Sequence, residues 1–212
     1  MNLRKLMFMM GAGFIALMLG IGGIVTAGEI YESAFGFRAV FPDKWMVLDK
    51  SYAIENPQAV ESAFLTAQKD KELTPETKAT LVSVKEMILR GEIEYYFSEN
   101  PHFVVAVNKS PGTVPETDEE LQNLCRAFPS ELSARAGKSV NVYECSRKSF
   151  NGRSALLLIA DGQNPGSKYI QYQLKIDPRN VIIFTATGAD FSSFDKMASL
   201  MESFMKSVEI RN

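Results

Sequence analysis

The sequence predicts an α+β fold: an α/β/α sandwich with a central antiparallel sheet, helices on both faces and a helical insertion at about residues 51–97. Three observations carry this expectation. Tight turns at Asn151-Gly152 and at Asp177-Pro178-Arg179-Asn180 join alternating segments, leaving no room for the crossover helices a parallel sheet needs. Residues 155–160 and 181–186 are apolar on both parities, so both faces of the sheet must be covered there. Apolar stripes at helical spacing, 121–132 and 194–208, supply covering layers.

The chain opens with Arg4 and Lys5, followed by an uncharged run from Leu6 to Ala27. Val25-Thr26-Ala27 then places small residues three before and one before a cut ahead of Gly28. This order of charged, apolar and small residues is that of a secretory signal peptide, with cleavage between Ala27 and Gly28. The run is also long enough to span a bilayer, which takes roughly 20 residues, so a retained anchor is the rival reading. Gly11, Gly13, Gly20, Gly22 and Gly23 weaken it as a stable helix. The region holds no cysteine, which excludes a lipoprotein anchor. Both readings place residues 28–212 outside the cytoplasm as one domain, periplasmic or secreted if cut and membrane-anchored if not.

Phe35, Phe37, Ala39 and Phe41 alternate on one face of a first strand that Pro42-Asp43 stops. Trp45-Met46-Val47-Leu48 is a short apolar segment. Ala59, Val60, Ala63, Phe64 and Ala67 fit a helical stripe. A second helix opens at Thr74-Pro75, runs to Arg90 and stops at Gly91. Residues 57–90 are expected to be mainly helical and peripheral to the sheet. Ile93, Tyr95 and Phe97 alternate, 103–107 is apolar, and residues 98–102 join the two as a hairpin loop.

Thr117-Asp118-Glu119-Glu120 is a capping box. The helix it opens carries Leu121, Leu124, Cys125, Phe128 and Leu132 on one face, with a kink expected at Pro129 and an end at Gly137. Strands follow at 140–150, 153–160, 168–176 and 181–187. In 168–176, Ile170, Tyr172, Leu174 and Ile176 face in, while Gln171, Gln173 and Lys175 face the other way. That polar row predicts a strand half exposed or near an edge. Phe194, Met197, Ala198, Met201, Phe204, Met205 and Val208 form the closing helix.

The run from Phe35 through Phe41 to Pro42-Asp43-Lys44-Trp45 resembles the opening of the PsbP-like family, which includes exported DcrB-type proteins: an aromatic strand, Pro, then Trp. Tyr169-Ile170-Gln171-Tyr172, residues 181–187 and the closing helix at 194–207 extend the resemblance over the core of 33–208. It implies an α/β/α fold and non-enzymatic, extracytoplasmic accessory roles. It supplies no catalytic residues. The chain departs from short members of that family at residues 51–97.

Little in the chain points to chemistry. His102 is the lone histidine and sits in the expected hairpin loop with no nucleophile motif near it. One histidine and two cysteines make a poor zinc set. Glu116, Asp118, Glu119 and Glu120 lack a calcium-loop register and instead complement a helix N-terminus. Met197, Met201 and Met205, interleaved with Phe194 and Phe204, read as core and not as a copper site. Residues 161–167 form a polar loop without a phosphate-loop pattern. No catalytic residue, metal ligand or cofactor is therefore expected. A net charge of −2 argues against nucleic acid, and membrane contact is confined to the N-terminal segment if it is uncleaved.

Cys125 and Cys145 are expected to form a disulfide. From Cys125 to the reversal near Gly137 is about 18 Å of helix axis, and from there back to Cys145 about 26 Å of strand. The returning strand can therefore pass beneath Cys125; the alternative is two buried thiols. The expected function is an exported accessory or binding protein with a protein partner. Its alternative is a small-molecule or lipid carrier with a pocket walled by the 57–97 insertion, suggested by Tyr95, Tyr96 and Phe97.

Overall fold

A computed structural model describes residues 23–25, 27–42, 44–58, 75–99, 102–162, 166–188 and 194–211. The apolar run at 6–22, the helical stripe at 59–67 and the Thr74 cap lie outside them.

Strands β1 (Gly23–Val25), β4 (Trp45–Leu48), β5 (Glu94–Glu99), β6 (His102–Pro111), β7 (Val142–Phe150), β8 (Arg153–Asp161), β9 (Lys168–Asp177) and β10 (Asn180–Gly188) form one sheet. Its order is β1-β4-β5-β6-β10-β9-β8-β7, and every pairing is antiparallel. Hairpins account for most neighbours, but β6 meets β10 across a long stretch of chain, with Val107 opposite Phe184. The turns match the sequence: Asn151 and Gly152 both take positive φ between β7 and β8, as a tight hairpin requires.

One face carries the main core. Helix α4 (Phe194–Ser207) lays Met197, Met201, Phe204 and Met205 onto Val105, Val107, Phe184 and Tyr172. The first aromatic strand, β3 (Phe37–Val40), does not join the large sheet. It pairs with β2 (Ile30–Glu32) and with β11 (Glu209–Ile210) in a three-stranded sheet that packs on the same core through Phe37, Ala39 and Phe41. Phe41, Trp45, Tyr96, Phe103, Phe184 and Phe204 form a buried aromatic cluster, with Phe41 and Phe204 stacked at 5.3 Å between centroids. Such pairs add to their burial energy through favourable ring geometry.

The opposite face is covered in two separate patches. Helices α1 (Lys50–Glu55) and α2 (Pro75–Arg90) cover β4, β5 and β6. Val84, Met87 and Ile88, at positions i, i+3 and i+4 of α2, are buried with Met46, Leu48, Tyr95 and Phe97. The 75–90 part of the insertion is thus helical as expected, and it buries a core cluster of its own against the sheet. Helix α3 (Asp118–Ala136) covers β7 and β8, burying Leu132 against Leu158 and Ala160. It runs through Pro129 as one element and ends at Gly137, whose φ of 67° permits the left-handed cap.

Between the two patches lies β9. It is no edge strand: β10 and β8 flank it. Its polar row has another cause, because neither α2 nor α3 covers the middle of that face.

Candidate functional site

Cys125 projects from α3 onto β7 and is bonded to Cys145, with Cα atoms 5.7 Å apart. Cys145 stands opposite Leu158 in the ladder. The bridge pins the helix over β7 and β8, so the returning strand does pass beneath Cys125. Two surface pairs pin the start of the helix as well: Arg147 with Asp118 and Lys175 with Glu116. Glu120 accepts hydrogen bonds from the Glu116 and Thr117 amides at 2.8 and 3.2 Å, which holds its carboxyl below the usual range. The acidic run therefore serves the helix start and its anchoring.

With α3 held to one side, a groove of about 320 Å³ opens between it and the middle of the sheet. Leu124, Phe128 and Leu132 of α3 form its apolar wall, together with Val181 and Ile183 of the floor. Leu158 of β8 and Tyr169 of β9 add apolar surface to the floor, and its polar part is Gln171 and Gln173 from β9 with Thr185 and Thr187 from β10. Gln173 Nε2 donates to Gln171 Oε1 at 3.0 Å, and Gln171 Nε2 donates to Thr185 Oγ1 at 3.0 Å. This chain orients the carboxamides across two strands and leaves each with unused hydrogen-bonding capacity. At the rim Glu131 and Arg135 pair with each other at 3.3 Å, so the groove presents little net charge. The volume is that of a small ligand or a few peptide residues.

A second polar cluster lies elsewhere. Glu94 is 2 % exposed and faces the main core. Its carboxylate accepts from Ser33 Oγ and the Ala34 amide, both at 2.9 Å, and from the Tyr96 hydroxyl. Burial pushes its pKa up, partly countered by these donors. Tyr31, whose hydroxyl donates to Asp49 at 3.1 Å, is pushed far above the ordinary tyrosine value by burial and by Glu94. This cluster ties the loop after β2 to β5.

The other residues singled out in the sequence are dispersed. Ala27 and Gly28 are exposed, directly after β1. His102 begins β6. Met197, Met201 and Met205 are at most 2 % exposed, in the core. Gly162 touches the groove at the end of β8, while residues 163–165 of that loop lie outside the described residues. Tyr95, Tyr96 and Phe97 are buried in β5 and line no part of the groove. Nor do the described residues of 57–97, so the expected pocket wall is replaced by α3. The polar parity of β9 marks Gln171 and Gln173 in the sequence without identifying a groove, and Thr185 and Thr187 on β10 carry no such signal. Among the described residues no three metal-ligating side chains gather, and no helix is long and apolar enough to cross a membrane.

No family model and no curated protein sequence matches the chain. Among solved structures it is similar to cyanobacterial PsbP (CyanoP) from Synechocystis, at 12% identity over 92% of this chain and 96% of that one, with a TM-score of 0.49. It is also similar to the T6SS immunity protein TplEi of Pseudomonas aeruginosa, solved with an "L" peptide, at 12% identity over 91% and 99%, with a TM-score of 0.37.

Proposed function

We propose that this chain is an exported, non-enzymatic binding protein that holds an extended segment of a partner protein in the groove beside α3. The observation that carries the reading is the row Gln171, Gln173 and Thr185 on central strands of an eight-stranded sheet. In an antiparallel sheet one face commonly packs on the core while the other is polar and meets solvent; here α2 and α3 cover that second face on either side and leave its middle open as a groove. The partly exposed carboxamides of Gln171 and Gln173, with the Thr185 hydroxyl buried beside them, are oriented, neutral donors and acceptors, which suit the amides of a peptide backbone. The apolar wall of Leu124 and Phe128 suits side chains alternating along such a segment. Carboxamides and threonine hydroxyls recognise but do not exchange protons near neutral pH, which favours binding over catalysis.

Export is supported by the charged, apolar and small-residue order of residues 4–27. The Cys125–Cys145 bridge suits an oxidising compartment.

Site-specific photo-crosslinking in cells tests the reading. A crosslinker replacing Gln171 or Thr187 is expected to capture one protein, at a single mapped segment. The same group replacing Glu202, exposed on α4, is expected to capture none of it. Capture from Glu202 as readily as from Gln171, or no capture from the groove, would remove the proposal.

A further inference from the structure

The expected cut between Ala27 and Gly28 falls directly after β1, so cutting there would take away the outermost strand of the large sheet. β1 lies antiparallel on β4, with Gly23 opposite Val47, Ile24 opposite Met46 and Val25 opposite Trp45. Val25 packs onto the main core. On its other side β4 pairs with β5. All four residues of β4 are buried, since each face of the strand meets a core cluster: Trp45 and Val47 the main core, Met46 and Leu48 the cluster under α2.

Release of residues 1–27 would leave β4 with one row of unpaired backbone groups and an empty apolar seat where Val25 had been. Natural edge strands are usually protected by charge, proline or a bulge, and Trp45-Met46-Val47-Leu48 has none of these within it. Gly28 itself keeps a place: its amide donates to the Phe41 carbonyl at 3.3 Å, a contact that a new α-amino group can also make.

We infer that processing at Ala27–Gly28 converts β4 into a strand-acceptor site, taking an extended apolar segment of a partner protein antiparallel to it. The segment would place a β-branched side chain in the Val25 seat. The occupant's chemistry follows from β1, the one segment seen in that position: three residues, antiparallel, a valine against the core. Backbone pairing supplies adhesion and the seat supplies selectivity, as in strand addition generally. In the uncut chain β1 covers the same edge, so the site opens only after export. The inference rests on the cut and not on the groove, which lies beyond β5 and β6 in the sheet.

The test uses the exported protein and a synthetic peptide with the sequence of residues 21–27. Expected results are an N-terminus at Gly28, a monomer by sedimentation, and a saturable rise in Tm with the peptide. Peptides carrying Val25→Asp or Ile24→Pro should give no rise. Because the variants are made in the peptide, the fold of the protein is untouched. An N-terminus that retains residues 23–25 would overturn the inference, as would a dimer closed through β4. No rise with the parent peptide, or an equal rise with the Val25→Asp peptide, would also overturn it. Groove crosslinking can succeed or fail independently of each of these results.

Discussion

Ser33 Oγ donates to Glu94 Oε2 at 2.9 Å, joining two residues 61 positions apart. The acceptor is a buried carboxylate, and its other partners are the Ala34 amide and the Tyr96 hydroxyl. The bond fixes the loop after β2 on β5 and so sets the small sheet against the large one. Glu94→Leu would leave those three donors buried without an acceptor. It is expected to cost about 3 kcal/mol or more, given roughly 1–3 kcal/mol for each unsatisfied group. Urea unfolding of the two proteins measures this.

The same residue predicts a pH dependence. Burial raises the Glu94 pKa above its unfolded value, so the folded state keeps the proton to higher pH than the unfolded chain does. Stability from this group is therefore greatest below the ordinary glutamate value and falls as pH rises to the raised one. Above that it is level. Unfolding measured from about pH 4 to about pH 8 should show this decline in the parent. Glu94→Gln should lack it, and a decline of equal size in both would refute the assignment to Glu94.

The Cys125–Cys145 bridge closes a separation of 20 residues, worth about 3 kcal/mol in the chain-entropy view. Replacing both cysteines by alanine should lower stability by about that amount. Alkylation of the exported, unfolded protein without reductant should modify neither cysteine; modification of both would show free thiols.

Asn151 is the non-glycine residue with positive φ, 50°, among the described residues. Its Nδ2 donates to the Lys206 and Val208 carbonyls at 3.1 and 2.8 Å, closing the end of α4. Asn151→Ala should cost about 2 kcal/mol, from left-handed strain of roughly 1–2 kcal/mol and lost hydrogen bonds. Asn151→Gly should recover the strain part alone. Thermal unfolding of the three proteins separates the two contributions.

Removing residues 56–90 deletes α2 and uncovers Met46, Leu48, Tyr95 and Phe97. The shortened chain should lose its cooperative unfolding transition and bind a hydrophobic dye. A sharp transition like the parent's would show that the large sheet stands without this cover.

Much of this fold is local, and local features are legible in a sequence. Asn151-Gly152 specifies a tight hairpin because few residues tolerate positive φ there. Thr117 and Glu120 specify a helix start because their side chains satisfy the first amides, as both do here. The stripe of Met197, Met201, Phe204 and Met205 specifies a buried helix face through its spacing. With two cysteines in the chain only one bridge is possible; the lengths of helix and returning strand allow it, and the tertiary structure decides it over two buried thiols.

What the sequence could not determine was long-range pairing, which depends on the energies of segments far apart in the chain. The run around Phe37 reads as a strand, but only the core decides that it pairs with Glu209 and Ile210 at the far end of the chain and not with the large sheet. Gln171 and Gln173 read as marking a strand half exposed or near an edge, because its own residues carry no record of its neighbours; the strand is half exposed but not an edge. The β6–β10 pairing makes that strand central, and the separate seats of α2 and α3 leave its polar side uncovered. Periodicity states which residues share a face; tertiary packing alone states whether another element covers that face, and here it leaves a groove.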